Sequence, residues 1–259
     1  MAWLDPDFPH RFRLFTPAHV VTMLLVAAVW VVVPVLCRRR CGERGDRAFR
    51  RALAAVLLGQ HLLWVVWELA VGRFSVALSL PLNLCDASNI LCAVLLLTKH
   101  PLLFEVLYFW ALAGAIQSFV TPNVYYAFPH LEFFVFYIQH GGEILSILYL
   151  TLVAGMRPRA LSMVKSFACL VVLIGLVYLF NLLTGSNYMF LMADTPVEST
   201  VSKMIRMFGA PPRHILGLGL VAAVSILVLY APFAAQDLLA RLRAPQHTKK
   251  GQPSADGCP

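Results

Sequence analysis

Seven stretches of mostly apolar residues dominate the chain: His19 to Cys37, Ala52 to Val71, Leu78 to Thr98, Leu102 to Thr121, Glu132 to Gly155, Leu161 to Leu183 and His214 to Phe233. Each is about the 20 residues that an α-helix needs to cross a hydrocarbon core of roughly 30 Å. Inside lipid every backbone N–H and C=O must be satisfied within the protein, so such stretches resolve to helices. With 59% hydrophobic and 13% charged residues, no water-soluble fold could hide the apolar surface. The expectation is an all-α polytopic membrane protein, a bundle of seven transmembrane helices over residues 1–243, followed by a disordered polar tail over residues 244–259. The first stretch is too long for a signal peptide and runs into Arg38 where a small-residue cleavage site would be needed.

The formal charge of +8 would suggest nucleic acid for a soluble protein, but here it reads as topology. Most of the 21 Lys and Arg fall between spans one and two, at Lys99, between spans five and six, or after span seven. The other side holds Arg11, Arg13, Arg73, Lys203, Arg206 and Arg213. Lys and Arg are enriched on the cytoplasmic side, which predicts an N-terminus outside and a C-terminus in the cytoplasm. Arg38, Arg39 and Arg40 would then lie beside anionic headgroups of the cell membrane. No internal repeat is visible, which counts against a transporter built from inverted repeats.

The six cysteines have no zinc spacing and no disulfide framework, so neither a metal nor another cofactor is expected. Ionisable groups within the spans are more informative, since each costs several kcal/mol unless it has a partner or a purpose. They are His61, Glu68, Asp86, Glu105, His140 and Glu143. With span three entering from outside near Leu78, Cys85 would lie about 10 Å deep, and His140 on span five about 12 Å deep. Asn83, Asp86, Asn89, Gln117, Gln139 and Asn181 join them, predicting a polar cavity in the outer half of the bilayer.

Residues three or four apart share a helix face. Cys85, Asn89 and Cys92 form one such face, and Tyr137, His140 and Glu143 another. Glu143 could take one imidazole N–H while the other nitrogen serves Cys85 as base, which a buried thiol requires because only the thiolate is a good nucleophile. Asn83 or Asn89 could donate to an oxyanion. Asp86 points about 100° round the helix from Cys85 and suits a packing or charge role. His61 and Glu68 suit helix packing, and Glu105 a place beside Lys99. Met204, Met207 and Phe208 could form an interfacial helix covering the cavity. The residues leave three functions open: acyl transfer at Cys85, solute binding or transport through the same cluster, or a non-catalytic scaffold.

Three runs carry a family resemblance: Leu80-Pro81-Leu82-Asn83-Leu84-Cys85-Asp86, Phe136-Tyr137-Ile138-Gln139-His140-Gly141, and Asn187-Tyr188-Met189-Phe190-Leu191. The chain resembles the bacterial YwaF integral-membrane family, related to eukaryotic transmembrane protein 164, an acyltransferase that remodels ether phospholipids. The resemblance implies Cys85 and His140 as a catalytic pair acting on phospholipid or lysophospholipid, with Glu143, Asn83, Asp86, Asn89 and Gln117 supporting, or a lipid hydrolase if water accepts the acyl group. Bacterial members often have a His at the place of Asn83. The eukaryotic motif has Pro and His at the places of Leu84 and Asp86.

Overall fold

The computed structural model describes residues 2–193 and 200–243, and the expected polar tail over residues 244–259 lies outside them. The described residues form eight α-helices: α1 (Pro17–Arg40), α2 (Glu43–Ala70), α3 (Leu84–Thr98), α4 (Pro101–Val120), α5 (Leu131–Leu152), α6 (Ala160–Thr184), α7 (Thr200–Phe208) and α8 (His214–Arg243). Six of them, α1, α2, α4, α5, α6 and α8, are long and apolar enough to cross a membrane. The protein is a polytopic membrane helical bundle.

The third span is corrected. Its helix begins at Leu84, not Leu78, and its 15 residues extend only about 22 Å at 1.5 Å per residue. Pro81 lacks an N–H and disfavours helix before it, while Asn83 takes the extended N-cap conformation. The non-helical stretch before α3 is held by the chain after α6. The Tyr188 hydroxyl donates to Val76 O at 2.7 Å and accepts from Leu80 N at 2.8 Å, and Met189 N donates to Asn83 Oδ1 at 3.0 Å. Asn181 secures that loop through the backbone O and N of Tyr188. Irregular backbone between apolar helices is tolerable when protein groups satisfy it in this way.

The core lies along α4 and α5, whose Phe104, Leu107, Phe109, Ile147, Tyr149 and Leu150 are fully or almost fully buried. α2 and α3 pack beside them, and α1, α6 and α8 lie outermost, with Leu24, Leu25, Leu176, Leu220 and Leu227 exposed. Indole N–H groups tie outer helices to the core: Trp30 donates to Gly141 O at 2.8 Å and Trp110 to Ser166 O at 3.2 Å.

Contacts sort the connections onto two ends. At the N-terminal end Trp67 donates to Leu4 O, Phe12 N to Tyr125 O, and Arg73 to the Tyr126 hydroxyl. At the opposite end Asp46 accepts from Arg50, Lys99 and the Tyr149 hydroxyl, and Arg157 pairs with Asp237. Lys99 is thus committed to Asp46, and the partner of Glu105 is Lys165 at 2.5 Å, not Lys99 as expected. Lys99, the left-handed C-cap of α3, turns toward Asp46 of α2, whereas α6 brings Lys165 alongside Glu105.

Candidate functional site

A cavity of about 410 Å³ opens at the amino end of α3. One wall is polar: Asn83, Cys85 and Asp86 from the start of α3, Gln117 and Ser118 from α4, Gln139 and His140 from α5. The other is apolar, from Leu170 and Ile174 on α6 and Leu218, Val221 and Ala222 on α8. Met189, Phe190 and Leu191 close one end, and α7 adds Met204, whose sulfur meets the Gln117 amide at 3.7 Å. Met189 and Phe190 hold left-handed backbone at φ 56° and 54°, a conformation that costs roughly 1–3 kcal/mol for such residues and concentrates at functional sites. Of Met204, Met207 and Phe208 only Met204 lines the cavity, but the residues expected to form a helix over it do form one, α7. Its Ile205 is buried, and Phe208 packs so closely on Gly217 of α8 that an added Cβ there would lie 2.1 Å from the ring.

Because α3 starts at Leu84, Cys85 occupies the second position of a helix. The N–H groups of a first turn have no intrahelical partner, and the helix dipole is positive there. Both effects favour an oxyanion formed beside that turn. The Asn83 side chain makes no capping bond to a backbone N–H of that turn; its amide donates to Asp86 Oδ2 at 3.0 Å. Ser118 lies beside the thiol.

His140 is buried, and its Nδ1 meets the Phe136 carbonyl at 2.9 Å. A carbonyl only accepts, so Nδ1 carries the proton of the neutral ring and Nε2 is the basic nitrogen. The expected bond from His140 to Glu143 is absent; the side chain beside the Glu143 carboxyl is the Gln139 amide. The charge within electrostatic reach of the imidazole is Asp86. Asp86 also accepts from Gln139 Nε2 at 3.1 Å, joining α3 to α5. No hydrogen bond between the Cys85 thiol and His140 is formed among the described residues.

Of the expected site residues, Cys85, His140, Asn83, Asp86 and Gln117 share the cavity, whereas Asn89 and Glu143 do not line it. Asn89 donates its amide to Leu57 O at 3.0 Å, which removes it as an oxyanion donor. The sequence reading overlooked Ser118, the Phe136 carbonyl and the first-turn N–H groups. An Asn two residues after Pro81 was the available signal for a helix start.

The model of the TMEM164 family matches residues 14–230, most of the chain. The chain belongs to the TMEM164 family. A protein of Treponema pallidum (strain Nichols), described as uncharacterized, is 26% identical over 225 residues, covering 86% of this chain and 89% of that one. No solved structure matches. The span matched to the TMEM164 family runs from before α1 to Tyr230 of α8 and so includes every residue lining the cavity.

Proposed function

We propose that this protein transfers acyl chains between membrane phospholipids through a thioester on Cys85. One observation carries the reading: a cysteine at a helix amino terminus and a histidine with Nε2 as its basic nitrogen line a single cavity, polar on one side and apolar on the other. A glycerophospholipid has the same division, an ester and headgroup at one end and an acyl chain at the other.

In this reading His140 Nε2 takes the thiol proton and Cys85 Sγ attacks the ester carbonyl carbon. The oxyanion faces the first-turn N–H groups of α3 and the Ser118 hydroxyl. Collapse breaks the C–O bond, and the lysolipid oxygen leaves with the proton from His140. A second lipid hydroxyl then gives its proton to His140 and attacks the thioester, breaking the C–S bond, and Cys85 Sγ takes that proton back from His140. Asp86, already bonded to Gln139 and Asn83, stabilises the imidazolium that forms in each half. The charge asymmetry supports a reaction in the outer half of the cell membrane.

The test is acyl exchange in proteoliposomes that contain phosphatidylcholine labelled in its acyl chain and an unlabelled lysophospholipid. Wild-type protein is expected to yield labelled diacyl product, and Cys85→Ala and His140→Gln to lose about 10²-fold or more of the rate. Labelled free fatty acid instead would identify water as the acceptor. A Cys85→Ala protein with the wild-type rate would end the proposal.

A further inference from the structure

Every basic residue between Arg38 and Arg51, where α1 turns into α2, is an arginine. Arg50 is used inside the fold: it is buried, donates to Asp46 and to Leu96 O, and so helps to hold α2 on α3. The others, Arg38, Arg39, Arg40, Arg44, Arg47 and Arg51, are exposed, and none has a hydrogen bond or ion pair among the described residues. The carboxylates of the segment do not balance them. Asp46 is committed to Arg50, Lys99 and the Tyr149 hydroxyl, which leaves Glu43 alone against the exposed guanidinium groups. Gly45 of α2 lies against Cys41, where an added Cβ would be 3.3 Å from Cys41 Cβ, so the two arginine-bearing ends meet at one corner.

The spacing of these arginines joins a charged surface to an apolar one. Arg44, Arg47, Arg51, Leu58 and Leu62 recur at intervals of three, four and seven residues and so share one face of α2. Both leucines are exposed. They follow Arg51 by about 10 and 16 Å along the helix axis. On α1, Arg39, Val35 and Val32 repeat the pattern, again with both valines exposed. α1 and α2 each pack on α5 rather than on one another, which leaves both stripes open. Topology alone does not need this arrangement, since lysine serves equally well to retain a loop on one side of the membrane. Arginine differs in its planar fork, which grips two oxygens of a phosphate at once.

We infer that this corner is a binding site for an anionic phospholipid, separate from the cavity at Cys85. Arg44, Arg47 and Arg51 hold the phosphate with Arg39 and Arg40 beside them, and an acyl chain follows Leu58 and Leu62. A zwitterionic lipid is the weaker ligand, because its ammonium group returns positive charge to a surface that already carries an excess. The site is independent of the acyl-transfer reading.

The test uses the full chain in detergent micelles, titrated with phosphatidylglycerol or phosphatidylcholine of the same acyl chains. Bound lipid is counted by native mass spectrometry and stability is followed by thermal unfolding. A ligand that binds only the folded protein raises its stability with concentration. The expected result is saturable binding of phosphatidylglycerol, about tenfold tighter than phosphatidylcholine, with a matching rise in unfolding temperature. The combined Arg44→Lys, Arg47→Lys and Arg51→Lys variant keeps the charge and should cancel most of that preference. Arg13→Lys, exposed at the other end of the bundle, should leave it intact. Equal binding of the two lipids, or a triple lysine variant that binds phosphatidylglycerol as tightly as the wild type, would overturn the site and leave the arginines a topological signal alone. The wild-type comparison of the two lipids decides this even if the triple variant fails to fold.

Discussion

Asp86 accepts one hydrogen bond from Asn83 and another from Gln139, while Asn83 Oδ1 receives Met189 N–H. One carboxylate thereby joins the start of α3, the middle of α5 and the loop after α6. Asp86→Asn keeps the shape but replaces one acceptor oxygen by a donor, so an amide from Asn83 or Gln139 must lose its partner. Hydrogen bonds to charged groups contribute about 1.5–3 kcal/mol each. At about 2–4 °C per kcal/mol for a chain of this size, the expected outcome is an unfolding temperature lower by several degrees, read by a thermal melt in detergent. An unchanged melt would show that Asp86 does not hold these elements together. The 100° offset between Asp86 and Cys85 was legible in the sequence, but its meaning was not. A cavity set above a helix end is reached by successive residues of the first turn, so Asn83, Cys85 and Asp86 all line it.

Helical periodicity and length made the apolar elements legible, because lipid exposure demands long uninterrupted runs. They misplaced the ends, where polar chemistry takes over. α2 begins at Glu43, earlier than Ala52, since Glu43 and Asp46 suit the positive end of a helix. α8 continues past Phe233 to Arg243 as a polar extension. The start of α3 was hidden because the residues at 78–82 are as apolar as a span, while their bonds come from Tyr188, more than 100 residues away. The close approach of α1 to α5 was equally hidden, since it rests on a missing side chain. A Cβ on Gly141 would lie 2.8 Å from Val26 Cγ1, beside the bond from Trp30 to Gly141 O. Gly141→Ala therefore should push α1 outward, weaken that bond and cost roughly 1–3 kcal/mol of overpacking. The check is a lower unfolding temperature that Val26→Ala restores in the double variant; failure of that rescue would disprove the contact as the cause.

At the scale of the molecule, the two ends differ in chemistry, which makes both the orientation and the pH response of the bundle testable. The N-terminal end is closed by neutral His130, fully buried, whose Nδ1 accepts Glu132 N–H while Nε2 bonds Asp5 O. Burial lowers its pKa from the ordinary 6.5; the hydrogen bond to Asp5 O opposes this, and Arg73 adds a lesser lowering. A depressed histidine means that the opened end binds a proton more readily than the closed one. The closure is therefore fully stable above about pH 6.5 and weakens as the pH falls below it. A nitroxide on Asp7→Cys, next to Phe8 that is buried against Tyr126 and His130, should gain mobility between pH 7 and pH 5. His130→Asn, which preserves a helix-capping side chain, should flatten that response. The same labelled position tests orientation. The opposite end exposes Arg38, Arg39, Arg40, Arg44, Arg47 and Arg51, a density of positive charge retained on the cytoplasmic side. A membrane-impermeant maleimide should therefore modify Asp7→Cys in intact cells and reach exposed Cys41 only after permeabilisation. The reverse pattern would invert the bundle and move the opening of the cavity to the cytoplasmic leaflet, where the acyl donors and acceptors would have to be sought instead.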